Sequence, residues 1–273
     1  MDSSKQVLNN KSDAYNTRYI KDCDVPNSVE EFEAALEATL KRFREEKVKG
    51  IFLDIHMDKY QLIGVLKKHQ FTPHHTLDDI ISFKAWIPEG KCRLPSFSTH
   101  YAGVGGLVID FESRKALVIK EKSGTDTFSW KIPGGLVDAG EYFSEAVERE
   151  VWEETGIKAK FKGVLAQREK KNYYFGRNDV YTICLLIPDS VEIHKCEYEV
   201  ATCEWKPVDE WLNGEFKAET QKFVAIMAKR LVDAYHAKDP NYLSTLFLPQ
   251  PVYADLQNLS KGVHQIYSPI SLK

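Results

Sequence analysis

Residues 135–157 read GLVDAGEYFSEAVEREVWEETGI, and seven of them stand at spacings that constrain the fold more than anything else in the chain. They are Gly135, Glu141, Arg149, Glu150, Glu153, Glu154 and Gly156, in the pattern G-x5-E-x7-R-E-V-x-E-E-x-G-I. The stretch ahead of Gly156 predicts a helix, and Gly156 is its natural end because glycine accepts a left-handed backbone. At about 100° per residue, Glu150, Glu153 and Glu154 fall within about 100° of one helix face. Three carboxylates that close repel one another and raise each other's pKa. A hard divalent cation among them reverses that effect and keeps them ionised. Oxygen-only donors suit Mg2+ or Mn2+ and not zinc. Such ions clamp a diphosphate, polarise its phosphorus and activate a water. The pair Gly134-Gly135 lets the backbone come close, so the Gly135 carbonyl is a candidate further ligand. Arg149 and Glu141 read as an ion pair that orients the cluster. For E-x-x-E-E alone, a solvated surface helix is the better reading; the whole pattern with its glycines favours the metal site.

The rest of the 273 residues narrows the class. Hydrophobic residues make up 43% and charged residues 28%, an ordinary globular composition with room for two domains. That excludes a disordered chain, a collagen-like repeat and a disulfide-stapled mini-protein. Lys plus Arg number 37 against 40 Asp plus Glu, a net charge of −3 with no long-range attraction for nucleic acid or an anionic membrane. Cys23, Cys92, Cys184, Cys196 and Cys203 include no C-x-x-C, which fits reduced thiols. The first twenty residues hold no apolar signal region, no window of eighteen apolar residues exists, and the ending SPISLK is not the S-K-L address. The expected location is cytoplasmic.

Periodicity divides the chain into a loose tail over 1–18, an α/β domain over 19–95, a second domain over 96–239 and an extension over 240–273 packed on it. In the first domain a helix is predicted from Val29, with Phe32, Leu36, Leu40 and Phe43 inward. A strand over 50–55, a helix through 60–66 and a strand over 80–87 follow. These apolar residues must be buried against something, and a homodimer is one way to do it. In the second domain, strands are expected over 104–111, 115–121, 161–167 and 180–187, with another segment around Trp205. A long helix over 218–236 should turn Phe223, Val224, Met227, Leu231, Val232 and Tyr235 inward.

Weaker signals stand beside the main one. Gly103-Val104-Gly105-Gly106 precedes a strand where a dinucleotide loop needs a helix, so close packing in a sheet is preferred. His69, His74 and His75 are candidate metal ligands, but a helix cap and an exposed turn account for them more simply. Tyr173, Tyr174 and Phe175 are candidates to stack a base, with ordinary packing preferred. Lys131, just before the glycine pair, is a candidate phosphate contact. Glu192, Glu197 and Glu199 lie in the segment before Trp205, and Glu199 is the candidate general base.

The pattern at 135–157 matches the Nudix box at every position, so the chain resembles the Nudix hydrolase superfamily over about 99–239. The resemblance implies an α/β/α sandwich with a mixed sheet and Mg2+-dependent hydrolysis of a nucleoside diphosphate linked to another moiety. It implies Glu150, Glu153 and Glu154 as metal ligands, and an acidic residue outside the box, here Glu199, as a further participant. The N-terminal order of helix, GIFLDI strand, helix, HQFTPHH and WIP looks like the pre-Nudix domain of plant ADP-ribose/NADH pyrophosphatases and the animal fibroblast growth factor antisense Nudix protein. That domain resembles half of an acetyltransferase, but no glycine-rich coenzyme A loop is present. The run HYAGVGGLVID is similar to the start of the Nudix part in the same group. Three departures bear on substrate. A proline about sixteen residues beyond the box is replaced by Asn172-Tyr173-Tyr174, and both the SQPWPFPxS array and the four-cysteine zinc site of classical NADH pyrophosphatases are absent. ADP-ribose and NADH therefore lead on the pre-Nudix resemblance alone. The alternatives are a catalytically idle nucleotide-binding regulator and, less well supported by the charge, an RNA-decapping enzyme.

Overall fold

Alternation along β3 (Gly50–His56) sets the first sheet: Ile51, Leu53 and Ile55 are fully buried, while Phe52 and Asp54 stand on the opposite face. The computed structural model describes residues 7–122, 129–216, 218–238, 252–254 and 264–266. It divides into two units, Met1–Thr99 and His100–Lys273. In the first, β1 (Lys11–Ser12), β2 (Thr17–Ile20), β3, β4 (Thr72–Leu77) and β5 (Ile80–Trp86) form a sheet in the order β1-β2-β3-β5-β4. Only the β2–β3 pairing is parallel. Helix α1 (Val29–Glu45) starts on Ser28, whose hydroxyl accepts the Glu31 N–H at 3.3 Å. Its Phe32, Leu36, Leu40 and Phe43 join Ile51, Leu53 and Ile55, together with Val65 and Leu66 of α2 (Ile63–Lys68), in one core. The apolar residues that suggested a dimer are thus buried inside the unit itself.

Three expectations for this unit are corrected. Of the expected loose tail, residues 7–18 belong to the domain: Leu8 is buried and donates its N–H to Thr39 Oγ1 at 2.9 Å, and β1 and β2 extend the sheet. These strands are too short and polar to show periodicity; pairing with β3 makes them strands. Residues 1–6 lie outside the described residues. The second helix begins at Ile63, after a 3-10 stretch over Met57–Leu62. His69 does end α2, but His74 and His75 lie on β4, an edge strand. Pro73 hides that strand in sequence and is tolerated there, beside a register shift between Pro73 and His75.

The second unit is an α/β/α sandwich. Its sheet runs β10 (Val200–Pro207), β7 (Lys115–Glu121), β6 (His100–Asp110), β9 (Asn178–Pro188) and β8 (Ala159–Lys170), with β6–β9 parallel and the other pairings antiparallel. Residues of β6 alternate between two cores. Val104 and Val108 meet Ala146, Val147 and Val151 of α3 (Phe143–Thr155) on one face. Leu107 and Ile109 meet Trp211 of α4 (Val208–Leu212) and Val224, Ala228 and Leu231 of α5 (Glu219–Ala237) on the other. Two residues expected inward on α5 are not: Phe223 is 49% and Tyr235 37% exposed, because the sheet covers only a narrow stripe of that helix. The expected extension over 240–273 lies outside the described residues, apart from β11 (Val252–Ala254) and β12 (His264–Ile266), which pair with each other. Among the described residues no helix is long and apolar enough to cross a membrane.

Candidate active site

Helix α3 is held at both ends by its own sequence. The Glu145 carboxylate accepts the Tyr142 N–H at 2.9 Å at the start. At the end, Gly156 takes a left-handed φ of 73° and donates to the Trp152 carbonyl at 2.7 Å. Val147 and Val151 face the sheet, which fixes where the glutamates point. Glu154 is buried, only 6% exposed, and its Oε2 accepts the Gly134 N–H at 2.7 Å. Gly134 has to be glycine: a Cβ there would stand 2.1 Å from the Val104 carbonyl. Glu150 lies half-buried against Gly135, where a Cβ would come within 2.6 Å of its carboxylate oxygens. Glu153 reaches solvent.

Arg149 organises the outer side of the cluster. Its Nε and Nη2 bind both oxygens of Glu141 at 2.8 and 2.9 Å, and its Nη1 reaches Glu150 at 2.9 Å and Glu153 at 3.0 Å. Nη2 also donates to the Leu136 carbonyl at 3.1 Å, tying the helix to the chain just after the glycine pair. The hydrogen bonds from Arg149 hold the Glu141 carboxyl below the ordinary carboxylate range, and the same carboxylates keep the guanidinium firmly charged. Burial pushes Glu150 upward against the pull of Arg149. Burial pushes Glu154 up to about 7, with Lys131 and the Gly134 N–H opposing it and Glu150 adding to it.

The expected residues meet at one place. Gly135, Lys131 and Glu199 line a cavity of about 660 Å³, together with Gly134. Glu199 is near enough to Glu150 to raise its pKa, whereas Glu192 lies beside His194 at 3.5 Å and Glu197 beside Lys195 at 2.8 Å. Lys131 is ion-paired with Glu121. The Gly135 carbonyl, expected to be available, already accepts the Val104 N–H at 2.9 Å, leaving its second lone pair. Tyr173 and Tyr174 border the cavity with ring centroids 4.2 Å apart, while Phe175 is 91% exposed. Sequence reading missed Arg168, Asp179 and Tyr181. Arg168 pairs with the buried Asp179 and lies 5.2 Å over the Tyr181 ring, all three on the cavity wall. Their only signal is strand register: β8 pairs Arg168 directly with Tyr181, and β6 pairs Tyr101 with Asp179.

The donor set fits a hard divalent cation. Glu150 and Glu154 are carboxylates partly or wholly withdrawn from water, and burial disfavours the charged form of Glu154 more than Lys131 and the Gly134 N–H favour it, a deficit that a cation would offset. Their oxygens are nonetheless spread between Gly134 and Arg149. Among the described residues, the one group of three or more His, Cys, Asp or Glu whose ligand atoms all lie within 4.8 Å is Glu33, Glu37 and His69, in the first unit.

This buried-carboxylate helix behind a glycine turn, on a mixed sheet between helices, defines the chain's class. The NUDIX domain family matches residues 99–226, and the family described as Nudix hydrolase domain matches residues 8–87. Nudix hydrolase 6 of Arabidopsis thaliana is 32% identical over 251 residues, which cover 87% of this chain and 89% of the plant protein. The human protein Nucleoside diphosphate-linked moiety X motif 6 is 33% identical over 206 residues, 75% of this chain and 64% of its own length. This chain therefore spans less than two thirds of that relative. A MutT NUDIX hydrolase from Burkholderia pseudomallei, 23% identical, aligns over 46% of this chain and 96% of its own with a TM-score of 0.41. The chain belongs to the Nudix hydrolase family.

Proposed function

We propose that the second unit hydrolyses the diphosphate bond of a nucleoside diphosphate linked to another moiety, with ADP-ribose and NADH as the leading substrates, in the cytoplasm. The observation that carries this reading is the burial of Glu154 and Glu150 directly behind Gly134 and Gly135, which line a cavity of about 660 Å³, large enough for a nucleotide conjugate. The human relative, Nucleoside diphosphate-linked moiety X motif 6, carries the same chemical class in its name and supports this reading.

Glu150, Glu153 and Glu154 would hold Mg2+ or Mn2+, which supplies charge neutralisation for the diphosphate and lowers the pKa of a bound water. Arg149 is a positioning residue: through Glu141 it fixes the helix side chains, and through Leu136 it fixes the glycine turn. Lys131 adds positive charge close to the buried Glu154 and faces the cavity, where a phosphate oxygen would compete with Glu121 for it. Glu199 takes the proton of the attacking water, and Glu150 is the alternative base. Tyr173 and Tyr174 offer rings for a base, and the Arg168–Asp179 pair stiffens the wall beneath them. The first unit, Met1–Thr99, is a separate non-catalytic domain in this reading.

A panel of nucleoside diphosphate conjugates incubated with Mg2+ and resolved by chromatography tests it. ADP-ribose should give AMP and ribose 5-phosphate, and EDTA should abolish the reaction. Release of pyrophosphate from nucleoside triphosphates as the main activity would replace this reading with triphosphate hydrolysis. No turnover on any conjugate would favour a nucleotide-binding regulator.

A further inference from the structure

In the first unit, the helices cover one face of the sheet and leave the other to the chain that follows β5. On that second face stand Tyr19, Phe52 and Trp86, the alternates of the buried Ile20, Leu53 and Ala85 side. The segment 88–95 crosses this face as a strap. Leu94 lies on Gly50 so closely that a Cβ there would stand 2.4 Å from its Cδ2. The Pro95 carbonyl accepts the Lys84 ammonium at 3.2 Å. Strap and sheet enclose a cavity of about 760 Å³.

Its chemistry is specific. The Tyr19 and Phe52 rings stack with centroids 5.4 Å apart and planes 15° from parallel, so they offer a flat aromatic wall. Trp86 also lines the cavity, and its Nε1 is buried without an acceptor among the described residues. Lys49, Lys91 and Arg93 line the same cavity, and among the described residues their side chains have no ion pair or hydrogen bond. Of the two acids present, Asp13 is already engaged by the Tyr19 hydroxyl at 3.1 Å and the Tyr15 and Thr17 N–H groups at 2.9 Å each. The second acid is Glu89. A concave space of this size with apolar walls and a few charged groups is small-molecule architecture. Protein interfaces instead favour flatter patches depleted in lysine.

We propose that this cavity binds a small molecule that joins a planar aromatic ring to an anionic group, of the nucleoside monophosphate type, independently of the carboxylate site in the second unit. The ring lies against Tyr19, Phe52 and Trp86, and the anion meets Lys49, Lys91 and Arg93. Removing one stacked aromatic residue weakens binding of a base by about tenfold or more.

The test is calorimetric titration of the full chain with AMP in EDTA, repeated on Phe52→Ala, Arg93→Glu and Glu153→Gln. The expected result is saturable binding that Phe52→Ala and Arg93→Glu each weaken about tenfold and that Glu153→Gln leaves within about twofold. Arg93 is exposed on the strap, so its variant keeps the test valid if Phe52→Ala folds poorly. Three results overturn the proposal: no AMP binding, AMP binding that Glu153→Gln removes and Arg93→Glu spares, or adenosine binding as tightly as AMP. A dimeric full chain that Phe52→Ala dissociates would overturn it too, by giving the face to a second copy.

Discussion

Both units are built on a mixed five-stranded sheet, yet they finish it differently. In the second unit each face has its own core and its own helices, α3 on one side and α4 with α5 on the other. In the first, α1 and α2 serve a single core, and the opposite face keeps its aromatic rings for the strap and the cavity beneath it. The treatment of positive charge differs in parallel. Around the carboxylate helix the cations are already committed: Arg149 to Glu141, Glu150 and Glu153, Lys131 to Glu121, Arg168 to Asp179. Around the first cavity Lys49, Lys91 and Arg93 are unspent among the described residues. A site that is to gather metal ions keeps its own cations occupied as holders. The unpaired cations of the first cavity are available to an anion without first giving up a partner.

The largest expected effect separates the units by activity. Glu153→Gln and Glu154→Gln should each lower kcat with ADP-ribose and Mg2+ by about a hundredfold or more, since charge stabilisation at a metal site is worth several kcal/mol. Phe52→Ala and Arg93→Glu in the first unit should leave kcat within about twofold. Comparable losses from both sets would break the division of labour. A smaller loss is expected at Glu199: Glu199→Gln should reduce kcat about tenfold or more with little change in KM, and Glu192→Gln should act as wild type. Equal rates for these two variants between pH 6 and 9 would transfer the base to Glu150.

The smallest effect concerns stability without metal, and its sign differs between units. The Glu154 carboxyl is raised from 4.5 to about 7 in the fold. Its contribution is complete below pH 4.5 and is lost as pH rises through about 7, because the folded form then has to ionise a buried acid. At about 1.4 kcal/mol per pH unit this amounts to about 3 kcal/mol at most. In EDTA, the second unit should therefore melt several degrees lower at pH 8 than at pH 5, and Glu154→Gln should remove that slope. In the first unit, burial raises the Asp13 pKa but hydrogen bonds from Thr17, Tyr15 and Tyr19 outweigh it, leaving the group below 3.8. Its contribution is present above that value and is lost as pH falls through the folded pKa. Calorimetry from pH 3 to 8 checks both; parallel shifts of the two transitions would contradict the assignment.

What the sequence made legible follows from the range of the interactions. Helix α3 declares itself because its cap, its apolar face and its carboxylates all lie within one short segment, so the positions of Glu150, Glu153 and Glu154 could be read directly. Strand β3 was readable because Ile51, Phe52, Leu53 and Ile55 make a short apolar run. Strands β1, β2 and β4 were not, since Lys11, Thr17 and Pro73 acquire strand geometry only from their neighbours in the sheet. The wall formed by Arg168, Asp179 and Tyr181 depends on the register of three strands. The first cavity was equally hidden, because a segment that reads as a linker, 88–95, becomes one of its walls.

The parallel pairing of β6 with β9 has a consequence for how the molecule is made. It begins at His100 opposite Asn178, a separation of 78 residues, whereas β8 and β9 meet across a short turn. Closing the longer loop costs more chain entropy, so the β8–β9 hairpin should form first and β6 should join it later. Until then α3 lacks Val104 and Val108 beneath it, and Glu154 lacks the Gly134 turn that β6 holds through Gly106 and Val104. A ribosome releases β6 and then the three glutamates before β9, the strand that β6 must pair with. The nascent enzyme carries its carboxylates in water, unassembled, until β6 and β9 have paired.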